Sequence, residues 1–91
     1  MILVRAKVHI SGRVQGVWFR QSTKDTAQQH AVTGWCRNNP DGTVEAVFEG
    51  AETAVKAVLD WCKKGPELAH VDDLQIEWAD PTGEFEIFQI R

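Results

Sequence analysis

Near the start of the chain apolar and polar residues alternate: Val4, Ala6, Val8 and Ile10 fall to one side, Arg5, Lys7, His9 and Ser11 to the other. Period two in a run rich in β-branched residues predicts a strand with one buried face. Glycines at 12 and 16 break the pattern, so the strand is expected to end in a loop over residues 12–19 (GRVQGVWF). Residues 21–31 (QSTKDTAQQHA) hold no Gly or Pro and space Thr23, Ala27 and Ala31 for one face, which predicts a helix. A second strand follows over 32–37. Asn38-Asn39-Pro40-Asp41-Gly42 is dense turn chemistry. Residues 43–49 alternate again and pair back as a hairpin. Residues 51–64 carry Val55, Val58, Leu59 and Cys62 at three- and four-residue spacing, with Lys63 and Lys64 at the carboxyl end and Gly65-Pro66 as the stop. Leu74, Ile76 and Trp78 mark a fourth strand, Asp80-Pro81-Thr82-Gly83 turns the chain, and 85–90 forms a fifth strand.

The order is β-α-β-β-α-β-β. Two helices cannot cover both faces of such a sheet, so the expected class is α+β. The architecture is a two-layer ferredoxin-like α/β sandwich, with both helices on one face of an antiparallel-rich sheet. At 91 residues the chain has room for one domain, residues 1–91, and one core. Such a chain buries only about 60–65% of its unfolded surface, so its stability is expected to be modest. The longest apolar run falls far short of the roughly 20 residues that span a bilayer. Arg5, Lys7 and His9 interrupt the apolar start, so no export signal is read and a cytoplasmic location is expected.

Net charge is −3, which argues against nucleic acid and acidic membranes as partners. Its distribution says more. Residues 1–24 hold Arg5, Lys7, Arg13, Arg20 and Lys24 and no acid, while all 13 acids lie beyond. An acidic chain that keeps one quarter free of negative charge is suited to receive an anion there. The loop at 12–20 sits between a strand and a helix, where free N–H groups form an anion-binding nest and the helix dipole adds to it. Arg20, at the first turn, opposes that dipole at a cost of about 0.3–1 kcal/mol unless an anion lies between them. Its planar paired donors match phosphate oxygens. The loop is neither a Walker loop nor a dinucleotide fingerprint.

Gly12-x-Val14-Gln15-Gly16-Val17-x-Phe19-Arg20 resembles the first signature of the acylphosphatase family. Gly34-Trp35-Cys36-Arg37-Asn38, with Gly42-x-Val44 and Gly50 following at the family's spacing, resembles the second. The likeness extends over essentially all 91 residues, including Lys64-Gly65-Pro66. It implies hydrolysis of acyl phosphates to a carboxylate and inorganic phosphate, with no metal and no cofactor. It further implies that Arg20 binds the phosphate and Asn38 positions the water. The backbone N–H groups of Gln15, Gly16, Val17, Trp18, Phe19 and Arg20 would form the cradle. The expected partners are a small-molecule acyl phosphate and inorganic phosphate, and the expected state is a monomer.

The chemistry is consistent with so few parts. The leaving carboxylate has an acid pKa near 4, so no general acid is needed, and phosphoryl transfer requires mostly positioning and charge neutralisation. An asparagine amide both donates and accepts, so it can hold a water without titrating. The substrate's own phosphate is the expected acceptor of the water's proton. Neither Cys36 nor Cys62 begins the Cys-x₅-Arg of a covalent phosphatase; both read as thiols, with a bridge between them left open. His9, His30 and His70 lack ligand spacing, and Asp72-Asp73 is expected ahead of a strand, solvated. Trp35, Trp61 and Trp78 fit core positions, whereas Trp18 either lines an acyl pocket or packs on the helix.

Overall fold

In the computed structural model, which describes residues 1–91, the alternation at the amino end becomes β1 (Leu3–Arg13), with Ala6, Val8 and Ile10 fully buried. There follow α1 (Phe19–Gln29), β2 (Thr33–Asn38), β3 (Val44–Ala51), α2 (Glu52–Lys64), β4 (His70–Ala79) and β5 (Phe88–Ile90). The strands form one sheet in the order β4-β1-β3-β2-β5. β1 pairs antiparallel with both β3 and β4, β2 pairs antiparallel with β3, and β5 joins β2 in parallel. The expected α+β ferredoxin-like sandwich is therefore present, with the antiparallel pairings in the majority.

The core lies between the sheet and the helices. Val44, Ala46 and Phe48 of β3 join the β1 residues, against Val55, Val58, Leu59 and Cys62 of α2 and Phe19 and Ala27 of α1. Phe48 stacks on Phe88 at 5.5 Å between ring centroids, which fixes the short β5 to the sheet. Phe19 meets Trp61 at 5.6 Å and joins the two helices. The α2 periodicity is realised in full.

Several boundaries and placements differ from expectation. α1 starts two residues early, at Phe19, because the buried Phe19 ring and the Thr23 hydroxyl, bonded to Phe19 O at 2.7 Å, extend its inner face backward. It ends before Ala31, which is exposed with φ 55° and does not belong to the helix face. β4 is longer than its apolar alternation suggested, so Asp72 and Asp73 lie inside it, both exposed. As an edge strand paired only with β1, it gives Leu74 and Ile76 partial cover from the core, while Trp78 stays 47% exposed. Trp78 is thus not a core residue, and Trp35 and Trp61 are half-buried.

Where β1 leaves the sheet its pairing with β4 shifts register between Ser11 and Gly12. Gly12 has φ 121°, and a Cβ there would stand 2.2 Å from the His70 carbonyl oxygen. This bulge requires glycine and turns the chain into the following loop.

β5 is shorter than expected because the residues after Asp80 cross the helix-free face of the sheet. Glu49, 5% exposed, anchors them. Its carboxylate accepts from Thr82 N–H (3.1 Å), Thr82 Oγ1 (3.0 Å) and Gly83 N–H (3.1 Å), and pairs with Arg5 Nη1 at 2.8 Å. Burial alone would raise the Glu49 carboxyl, but these donors outweigh it and hold it below its ordinary value. A carboxyl lowered in the native state stabilises the fold above its unfolded pKa, and that stabilisation is lost as pH falls through the native value. Glu49→Ala should therefore cost about 1–3 kcal/mol at neutral pH, since Arg5 keeps partial access to water and a second partner in Glu84. Below about pH 4.5 the urea midpoint should fall more steeply for the wild type than for Glu49→Gln; parallel curves would remove Glu49 from this role.

Candidate functional site

The bulged end of β1 delivers residues 14–18 to the amino end of α1. Val14 and Val17 are buried and pin the loop from below, while Gly16, at φ 74°, and Trp18, at φ 66°, stand on its outer side. Alternation between positive and negative φ curls a backbone so that successive N–H groups converge. The backbone N–H groups of Gln15, Gly16, Val17 and Trp18 donate no hydrogen bond within the chain. α1 begins with no side-chain cap and no acid in its first turn. Arg20 occupies that turn, half-buried and without ion pair or side-chain hydrogen bond. Arg5 and Arg37, by contrast, are engaged with Glu49 and Glu45. Unpaired donors and an unpaired cation thus share one turn of backbone.

β2 brings the second half. Cys36 is fully buried facing α1, and its Sγ approaches the Arg20 carbonyl oxygen at 3.8 Å. Asn38 lies two residues further along the same strand face, about 7 Å beyond Cys36. Arg20 and Asn38 are brought to the same end of the fold in this way. The Asn38 Oδ1 atom is buried and has no hydrogen-bond partner. A buried acceptor left unpaired costs about 1–3 kcal/mol, so its retention calls for an explanation.

The Gln15 side chain joins the halves, through a contact that the residue pattern did not signal. Its Nε2 donates to the carbonyl oxygens of Asn39 (2.8 Å) and Thr43 (2.9 Å), the two ends of the turn that follows Asn38. The turn is itself closed by Asn39 N–H to Thr43 O at 2.8 Å. Thr43 Oγ1 donates to Asp41 Oδ1 (2.6 Å) and therefore accepts from Asn39 Nδ2 (3.1 Å) and His9 Nε2 (2.8 Å). That hydroxyl, with the Thr43 N–H, holds the Asp41 carboxyl below its ordinary value. Residues 38–43 are thus fixed from several sides.

Beside the loop lies a cleft of about 360 Å³ lined by Val14, Gly16, Trp18, Phe19, Arg20, Gln21 and Ile90. Asn38 is not among its walls. Trp18 is 75% exposed there. Both cysteines are free and buried. Burial pushes the Cys36 thiol up to about 12, against the lowering influence of Arg20 and Lys24, and raises the Cys62 thiol as well. Neither is a thiolate nucleophile at neutral pH. No three His, Cys, Asp or Glu side chains group in a way that could hold a metal ion.

Comparison with known proteins gives one consistent result. The acylphosphatase family profile matches residues 6–90. The chain is 52% identical over 88 residues to an acylphosphatase of Anaeromyxobacter dehalogenans, covering 97% of this chain and 95% of that protein. It is 53% identical over 90 residues to one of Chloroflexus aurantiacus, covering 99% and 98% respectively. The crystal structure of acylphosphatase from Bacillus subtilis superposes with a TM-score of 0.93 at 30% identity, covering 97% of this chain and 98% of that one.

Replacing Gln15 by methionine keeps its length and removes its two hydrogen bonds to the turn, whose carbonyls retain only the N–H groups of Gly42 and Asn39. Gln15→Met should lower stability by about 1–3 kcal/mol, read as a fall of roughly 4–20 °C in melting temperature. An unchanged melting temperature would show that the link between loop and turn is dispensable.

Proposed function

This chain belongs to the acylphosphatase family and hydrolyses acyl phosphates, and from that premise we propose that it does so with the loop at Gln15–Arg20 and with Asn38. The carrying observation is the set of uncommitted donors: four loop N–H groups with no partner and an Arg20 guanidinium with none. In this reading Gln15, Gly16, Val17, Trp18, Phe19 and Arg20 offer their backbone N–H groups to the phosphoryl oxygens. Arg20 adds a two-pronged contact and cancels the charge gathered on them. The repulsion between Arg20 and the helix end becomes an attraction of both for the same dianion.

Asn38 holds the attacking water. The Asn38 side-chain amide makes no hydrogen bond within the chain, and its Nδ2, unlike the buried Oδ1, stays accessible, which supports this role. The water oxygen attacks phosphorus in line with the acyl oxygen. The P–O bond to the acyl group breaks, and its electron pair leaves with the carboxylate. The water's proton passes to a phosphoryl oxygen, so a substrate dianion yields one carboxylate and dihydrogen phosphate. No protein base or acid takes part, since the leaving carboxylate is already weakly basic.

Residues 1–91 act in this reading as one domain and as a monomer, because every part of the site comes from one chain. The free buried thiols support a reducing, cytoplasmic setting. Inorganic phosphate, the product, competes for the same loop.

Two measurements test the assignment. At a hundredfold excess over its dissociation constant, phosphate should stabilise the fold by about 2.7 kcal/mol, or roughly 10 °C or more in melting temperature. Arg20→Ala should erase most of that shift and lower turnover by at least about 10²-fold, and Arg20→Lys should restore little of either. The exposed Arg13, replaced by alanine, should behave as wild type; the reverse pattern would mean that the wrong arginine has been assigned. Separately, Asn38→Ala should lower kcat by about 10²-fold or more while phosphate affinity changes severalfold at most. A variant that loses affinity and keeps kcat would refute the role given to Asn38.

A further inference from the structure

We propose that Trp18 is a specificity-determining residue that selects acyl phosphates with a flat, apolar acyl group over those with a small one. The inference rests on the reading that Arg20 and the adjoining loop hold the phosphoryl group. Two observations motivate it. Trp18 is 75% exposed, and it pairs with no other aromatic ring. It also sits at φ 66°, ψ 19°, a conformation that a bulky side chain adopts only under constraint and that glycine would occupy freely. Neither core packing nor local conformation accounts for tryptophan at this position. Outliers of this kind concentrate where a ligand is handled.

The cleft supplies the rest. Its charge is Arg20, next to the unpaired loop donors; its apolar surface is the Trp18 indole, with Ile90 (37% exposed), Val14 and Phe19. A ligand that fills both ends has an anionic head and an apolar body, which describes an acyl phosphate with an aromatic acyl group. Held by its phosphate, such a substrate would place its ring against the indole. The contact is made equally in ground and transition states, so it should appear in KM and leave kcat nearly unchanged.

The test compares benzoyl phosphate with acetyl phosphate on the wild type, Trp18→Phe and Trp18→Gly. Stacking and burial of one ring should favour benzoyl over acetyl phosphate in kcat/KM by about tenfold in the wild type. Trp18→Gly should lose most of that preference, read as the benzoyl-to-acetyl ratio of kcat/KM within the same variant, with the change carried by KM. Trp18→Phe should keep most of the preference. Because glycine suits the positive φ, the melting temperature of Trp18→Gly should not fall, so a loss of preference cannot be ascribed to unfolding. Equal loss on both substrates, or no loss on either, would overturn the proposal and leave the phosphate assignment standing. A wild type inert to both substrates would overturn the two together.

Discussion

One side-chain amide ties the two halves of the candidate site together. Gln15 belongs to the loop between β1 and α1, and its Nε2 is bonded to both ends of the turn between β2 and β3. β1 and β2 are not neighbours, since β3 lies between them, so Gln15 adds a direct link to those made through the sheet and through the Cys36–Arg20 contact. In the proposed mechanism a water held by Asn38 would have to stand in line with a phosphorus held by the loop, and misplacement by an ångström can cost about 10²-fold in rate. Two hydrogen bonds from a partly buried amide are a small structural cost for that alignment. Thr43 extends the constraint outward, since the hydroxyl that orders the turn also accepts from His9 on β1.

The helix-free face uses the same principle for a different end. There the buried acceptor is the Glu49 carboxylate, and the donors are backbone groups of the segment that crosses the sheet, with Arg5 beside them. Both oxygens of that carboxylate have donors, and the result is a fixed strap. Around Asn38 and the loop the accounting is deliberately incomplete: an acceptor is buried without a donor, and donors stand without acceptors. Saturation in one region and deficit in the other is the contrast on which the proposed site rests.

Much of this was legible in the sequence, for reasons that can be named. Period-two alternation in residues 4–11 and the three- and four-residue spacing in α2 report burial directly, so those elements and their inner faces were readable. Arg20 and the loop were readable because glycines, the absence of acids and a strand-to-helix junction coincide within nine residues. The edge strand was read less well. Leu74, Ile76 and Trp78 alternate as a buried strand should, yet nothing in the alternation reveals that only one neighbour covers it, and Trp78 is left outside. The side-chain reach of Gln15 was not legible at all, because it spans 24 and 28 residues to backbone carbonyls, which every residue carries. Glu49 was equally hidden: its period placed it on the helix-free face, where a charge looks solvated until the later segment folds across it.

The loop's conformation links the remaining oddities. Positive φ at Gly16 and again at Trp18 curls the backbone, so the second of these angles is a requirement of the cradle rather than an accident of the residue there. Glycine meets that requirement freely, and any other residue meets it at a cost of about 1–2 kcal/mol. The side chain at 18 is therefore the one place on the loop where the fold sets the backbone but leaves the choice of residue to the ligand. Val14 and Val17 are held by the core, Gln15 by the turn, Gly16 by its φ and Phe19 by Trp61. Position 18 carries the large exposed side chain on the rim of a cleft whose lining includes the free arginine. If the proposed roles hold, a change of residue here would alter acyl preference while the contacts of the turn and the core stay as they are.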